Sequence, residues 1–191
     1  MTVRFADIED KFDRIFGFLR RDLERILTLE PGANFAVATL VACACETLAR
    51  YRYVNEKDVD AFSQLLPSGP FQTIAKTLYN TLRNGFVHHS NAADIRVGGT
   101  IVRLAVAWRE HKHLSVQEIE GIPNLILNVT QLCRDLFSSF DEYRAELEKN
   151  GEARDRFFTT YRQVGTKEVT VPGEIAAWQE ILKIDYKIGQ T

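Results

Sequence analysis

From Phe35 to Cys45 the chain reads Phe-Ala-Val-Ala-Thr-Leu-Val-Ala-Cys-Ala-Cys, a run apolar on nearly every side of a helix and built mostly of small residues. A helix of this kind belongs at the centre of a fold, where neighbours approach it closely. It is expected over about residues 33–53. Glu46 follows the apolar run directly. It is expected at the rim, because a buried carboxylate needs a partner; Arg50, four residues on, is an available one. The run is too short to span a bilayer.

Amphipathic segments flank this helix. Phe5, Ile8, Phe12, Ile15, Phe16, Leu19, Leu23, Ile26 and Leu27 recur at steps of three and four, with charges between them, until Pro31-Gly32. That is the period of a surface helix. Polar residues 55–60 introduce a short helix carrying Val59, Phe62, Leu65 and Leu66, and Pro67-Ser-Gly-Pro70 breaks it. The next helix starts near Phe71, with Phe71, Ile74, Leu78 and Leu82 as its apolar stripe, and Gly85 is a place for it to end or bend. Pro123 suits a helix first turn. Leu125, Val129, Leu132, Leu136, Phe140, Tyr143 and Leu147 then predict a long helix ending near Asn150-Gly151. A charged piece over residues 152–161 extends or follows it. Residues 165–172 read as loop or an extended segment, and Ile175, Trp178, Ile181 and Leu182 mark a short terminal helix over 173–183.

Residues 91–117 change period. Val102, Leu104, Val106 and Trp108 alternate with Arg103, Ala105, Ala107 and Arg109, as on a two-faced strand. Ile95 and Val97 precede Gly98-Gly99, a hairpin-turn pair. A third short strand is expected over 113–117, after a turn at 110–112. The fold expected is therefore mainly α, a helical bundle with a small antiparallel β-hairpin or meander inserted between helices. At 191 residues it fits one domain, with a helical core over about 5–90 and 123–150, a β insert over about 94–117 and a C-terminal extension over about 152–191.

The formal net charge of −2 argues against a broad basic surface, though not against a local basic groove. The three cysteines, Cys43, Cys45 and Cys133, are odd in number and lie in apolar helical patterns. They read as small buried thiols of a reducing compartment. The first residues lack a basic region followed by an apolar core. A cytoplasmic protein without a membrane partner is expected.

The chemistry concentrates in one place. Leu78-Tyr-Asn-Thr-Leu-Arg-Asn-Gly-Phe-Val-His-His89 carries an arginine, an asparagine directly after it, and a histidine after four intervening residues. Arg83-Asn84-Gly85-Phe86-Val87-His88 resembles the signature of the HEPN superfamily, Arg-x(4–6)-His with Asn, Asp or His often first after the arginine. The likeness is close over about a dozen residues and looser over the helices; the strand-like insert departs from a plain HEPN bundle. The resemblance implies a homodimer with two motifs facing each other, RNA as partner, and metal-independent endoribonuclease activity in a bacterial defence or toxin–antitoxin setting, with an antitoxin-like protein as a further partner.

The residue types suit that chemistry. His88 titrates near neutrality and can act as base or acid. Arg83 stays charged and presents a planar fork to phosphate oxygens. Asn84 can orient the histidine or bond a phosphate. His89 also satisfies the spacing, as an alternative histidine that would contact substrate. On a continuous α-helix residues five apart point about 140° apart, so the pair meets only if Gly85 distorts the helix or a partner chain completes the site. Arg96 and Arg103, with Arg109, Trp108 and Lys112, form either an RNA-facing basic patch or a solvated face. His111 and His113, with Asp94 and Glu110 nearby, read as exposed turn residues rather than metal ligands, and no metal or cofactor is expected. No Gly-rich phosphate loop or Gly-x-Ser-x-Gly elbow is present. The competing expectation is a non-catalytic dimerisation or partner-binding module of the same fold, in which Arg83 caps its helix and His88 is structural.

Overall fold

The computed structural model describes residues 3–29, 33–53, 58–83, 85, 94–108, 110–164 and 171–188. Contacts divide the chain into two compact units, Met1–Thr160 and Tyr161–Thr191. The described residues are mainly helical, with one four-stranded sheet.

The N-terminal amphipathic pattern forms one helical run of changing pitch. A 3-10 turn (Phe5–Asp7) leads into α1 (Glu9–Phe12), a π-helical turn (Asp13–Gly17) and α2 (Phe18–Ile26). The apolar run lies in α3 (Asn34–Arg52), with Val37, Ala38, Val41, Ala42, Ala44, Cys45, Leu48 and Ala49 all buried. Small side chains on all sides let α4 (Asp58–Ser63), α6 (Ala75–Leu82) and α7 (Val129–Lys149) pack against it. A short α5 (Pro70–Thr73) precedes α6.

The stripe expected over residues 71–82 is corrected in part. The buried side of α6 consists of Ala75, Leu78, Tyr79 and Leu82, while Ile74 is exposed. The break between α5 and α6 at Ile74 turns that side chain outward.

Six aromatic rings lock α1, the π turn, α3, α7 and α8 (Gly151–Val164) together. Ring centroids are 4.9 Å apart for Phe16 and Phe140 and 5.2 Å apart for Tyr51 and Phe157, while Phe12 and Tyr143 close the cluster. Tyr143 donates its buried hydroxyl to the Tyr51 carbonyl at 2.7 Å. Ion pairs rim the cluster. Arg20 meets Asp141 at 2.8 Å, and Arg144 pairs with Asp13 and Glu9.

The insert is a sheet of order β1-β2-β4-β3, formed by β1 (Asp94–Val97), β2 (Thr100–Ala107), β3 (Ser115–Ile119) and β4 (Ile122–Asn128). Two tight turns close its hairpins, Gly98-Gly99 between β1 and β2 and Glu120-Gly121 between β3 and β4. Both residues of each turn have positive φ, the I′ form that matches strand twist. The expected antiparallel insert is corrected here, because β2 and β4 run parallel, from Arg103 beside Asn124 to Ala107 beside Asn128.

The expected helix start at Pro123 is also corrected. Residues 122–128 are strand, and α7 begins at Val129 behind Asn128, whose side chain accepts the Gln131 N–H. Leu125, Ile126 and Leu127 are buried one after another, which is how a strand covered on both faces reads. The same run supplies one apolar residue to a helical stripe, so periodicity alone misplaced the boundary.

α7 ends at Asn150 as expected, and Asn150 caps α8 by accepting from the N–H groups of Glu152 and Ala153. In the second unit, α9 (Pro172–Ile188) is longer than the helix expected there, and Ile175, Trp178 and Ile181 on it are exposed. No helix among the described residues is long and apolar enough to cross a membrane.

Candidate functional site

Arg83 leaves the end of α6 with helical backbone angles, and the helix takes π geometry at Arg83 and Gly85. Its guanidinium reaches two other elements. Nε lies 2.5 Å from Oε1 of Glu46 on α3, and Nη1 lies 3.7 Å from Oδ2 of Asp58 at the start of α4. Glu46 is therefore partnered across the bundle by Arg83 rather than by Arg50 on its own helix. The bundle brings α6 alongside α3, and Glu46 meets the guanidinium there.

Tyr79 sits one helical turn before Arg83, on the same face of α6. It donates its hydroxyl to the same Glu46 oxygen at 3.3 Å and stacks its ring near Phe62, at 5.5 Å between centroids. Burial, then the charges of Glu46 and Asp58, push the Tyr79 phenol well above its ordinary range. The group is a fixed donor, and its proton holds Glu46 in place. Asp58 occupies the first turn of α4, where a negative charge is favoured by the helix dipole. The arrangement is one cation between two carboxylates, with a phenol closing one side.

Two of the cysteines meet expectation and one corrects it. Cys45 and Cys133 are buried, whereas Cys43 is exposed, one turn before Glu46 on α3. Partial burial and then Glu46 push the Cys43 thiol up, against the opposing pull of Arg83. It is held as a thiol beside the site rather than as a thiolate nucleophile.

Of the residues expected to act, Asn84, His88 and His89 lie outside the described residues. Arg96 and Arg103 fall on one face of the sheet, because Asp94 opposes Arg103 and Arg96 opposes Ile101 in the β1–β2 register. Arg96 is exposed, and Arg103 pairs with Asp94 at 3.3 Å, which takes up part of the patch's charge. Arg109 lies outside the described residues.

His111 is exposed, but His113 is not the exposed turn residue expected. It is half-buried, and its Nδ1 accepts the Asn128 backbone N–H at 3.0 Å. Its pKa is lowered by burial, against a weaker upward pull from Asp135. Among the described residues, no three His, Cys, Asp or Glu side chains come together as a metal-binding group.

Sequence reading singled out Glu46 but gave it the wrong partner, and it passed over Tyr79 and Asp58. Tyr79 had a signal, its four-residue spacing from Arg83. Asp58 had none, since only the α3–α4 packing brings it to the guanidinium. No family model, no curated protein and no solved structure matches the chain.

Proposed function

We propose that the chain is a HEPN-like RNA-binding protein and a metal-independent endoribonuclease, acting as a homodimer, with Arg83 and His88 at its centre. The observation that carries this reading is the mounting of Arg83. A motif arginine with a merely surface role would extend into solvent. Here Glu46 and Asp58 hold it from two other helices, with Tyr79 bracing Glu46, while its side chain stays 39% exposed. A pre-oriented guanidinium loses less freedom on binding a phosphate than a flexible one.

The local pitch adds support. A π turn closes its hydrogen-bonded ring between a residue and the fifth one after it, which is the spacing from Arg83 to His88. A π turn continued to His88, which lies outside the described residues, would lessen the mismatch that a plain α-helix imposes on the motif.

In the proposed reaction His88 removes the proton from a ribose 2′-hydroxyl, and the 2′-oxygen attacks the adjacent phosphorus. The bond to the 5′-oxygen breaks, and a second histidine, from the partner's motif, protonates that leaving oxygen. The products are a 2′,3′-cyclic phosphate and a 5′-hydroxyl end. Nη2 of Arg83 makes neither of the carboxylate contacts described, and it is the edge assigned to the phosphate. Arg96 and Arg103 would hold the strand away from the cut. A bacterial defence or toxin–antitoxin role, with an antitoxin-like partner, follows from the motif's resemblance alone.

A second reading has its own observation. Glu46 and Asp58 together outweigh the charge of Arg83, so the cluster as it stands carries net negative charge. That suits an ion pair tying α3, α4 and α6 in a non-catalytic dimerisation or partner-binding module. An RNA cleavage assay with chelator present separates the two. Cleavage by the unaltered protein that is lost in both Arg83→Ala and His88→Ala is the outcome expected. Retention of full activity in both variants overturns the assignment of the chemistry to Arg83 and His88, and no cleavage by any of the three leaves the binding module as the better account.

A further inference from the structure

Asn128 stands where β4 ends and α7 begins, and it fastens the segment that joins β2 to β3. Its side-chain amide donates to the His111 carbonyl at 2.7 Å and to the Trp108 carbonyl at 3.3 Å. Its side-chain oxygen caps α7 by accepting from Gln131 N–H. Its own backbone N–H goes to Nδ1 of His113. One residue later, Leu114 donates its N–H to the Ile126 carbonyl at 2.8 Å while held at φ 55°, a left-handed conformation that a leucine adopts at a cost. The segment is thus pinned in a strained shape by bonds converging on one junction.

One of those bonds depends on protonation. Nδ1 can accept from Asn128 only while it carries a lone pair, so the ring is neutral and its proton sits on Nε2. Among the described residues that Nε2 has no hydrogen-bond partner and is shut off from solvent. A second proton on the ring would place an N–H against the Asn128 N–H, turning an attraction into a repulsion. It would also put a charge beside a donor that has no acceptor.

We propose that residues 110–114 are a pH-operated latch, closed by neutral His113 and released when that imidazole takes up a proton. His113 lines one cavity of about 510 Å³ with the α7 residues Gln131, Asp135 and Glu142, the α3 terminus at Arg52 and the 64–67 turn. It also lines a second of about 350 Å³ with Thr130 and Arg134. Release of the latch removes a wall common to both.

The charged groups facing His113 come from every side. Asp135 on α7 draws the proton on, and Glu142 lines the same cavity. Arg52 on α3 lines the first cavity, Arg134 on α7 and His111 line the second, and Lys112 precedes His113 in the chain. The turn at 64–67 contributes no charge. Burial sets the net direction, downward from the ordinary histidine value.

The sign follows. The open segment binds the proton more readily than the closed one, so closure is fully favoured above about pH 6.5, the ordinary histidine pKa. It weakens by up to tenfold per pH unit below that, levelling off at the lower pKa of the closed state.

The test is hydrogen exchange and ¹⁵N–¹H shifts of the full-length protein titrated from pH 8 to 5. The Asn128 amide should move with a one-proton transition, and its protection factor should fall by up to about tenfold per pH unit as His113 titrates. His113→Gln, whose amide oxygen can take the same N–H without titrating, should abolish the transition, while His111→Gln should keep it. A wild-type Asn128 amide that is flat across this range overturns the proposal without recourse to any variant. A transition surviving in His113→Gln overturns it too.

Discussion

Glu46 and Arg83 offer the sharpest test of whether the motif arginine is mounted for use. Glu46→Gln removes the charge but leaves an amide oxygen where Tyr79 now donates at 3.3 Å, so the hydrogen bond survives and the ion pair does not. The side chains are 31% and 39% exposed, between the surface and the interior. Fully exposed pairs couple by about 0.2–1 kcal/mol. With solvent still reaching both partners, we take the top of that range, about 1 kcal/mol. In a chain of this size that loss lowers Tm by about 2–4 °C.

The assay is a double-mutant cycle of Glu46→Gln, Arg83→Met and the pair, read by urea denaturation. Each single change should destabilise, and the double should cost about 1 kcal/mol less than their sum. Raising the salt to molar strength should shrink that coupling, because both groups touch solvent. In the cleavage assay Glu46→Gln should lose rate while binding RNA at least as tightly, since a carboxylate has left the phosphate's surroundings. Zero coupling together with wild-type cleavage in Glu46→Gln would refute the argument that Glu46 orients Arg83.

Other changes read the scaffold. Tyr143→Phe removes the proton from a buried 2.7 Å bond to the Tyr51 carbonyl and should cost about 1–2 kcal/mol in urea melts. Phe16→Ala, at the centre of the aromatic cluster, should cost about 3–5 kcal/mol by the same measure. A thiol reagent should label Cys43 first, and Cys45 and Cys133 only on unfolding, since both are buried and burial pushes the Cys133 thiol up to about 12. Because the Cys43 thiol is also raised, the midpoint of its labelling-rate profile should lie above that of an unperturbed cysteine, about 8.5. Asn128→Ala loses the α7 cap and takes the donor from the His111 carbonyl, and should cost about 2 kcal/mol or more while speeding amide exchange across residues 110–114.

What could be read from the chain depended on how local the cause was. The run over Phe35–Cys45 dictated a central helix, and α3 is buried on most sides, although Phe35 and Cys43 on it are exposed. The Gly98-Gly99 turn was equally local, a matter of φ at two residues. The β4–α7 boundary was not. Leu125 serves both a strand and a helical stripe, and only the pairing with β2 and β3 settles which. His113 was misjudged for the same reason: its burial comes from Asn128 and α7, neither adjacent in sequence. The partner of Glu46 lay 37 positions away on another helix, whereas Arg50 was visible at i+4. Short-range rules find short-range partners, and a packed bundle offers better ones.

The Arg83 motif is where local and distant causes meet. Its spacing looked unfavourable, because five residues of α-helix carry a side chain to the far side. A π turn spans five residues rather than four, and the backbone after α6 takes this pitch at Arg83 and Gly85. Gly85 carries no Cβ to constrain the backbone there. Gly85→Ala is therefore informative in its own right. If the wider pitch serves the site, alanine should favour an ordinary helical turn and cut cleavage at least tenfold, while the helix gains stability from the better helix former, by up to about 1 kcal/mol. A stabilised variant with undiminished cleavage would show that the pitch at Gly85 is incidental to the chemistry.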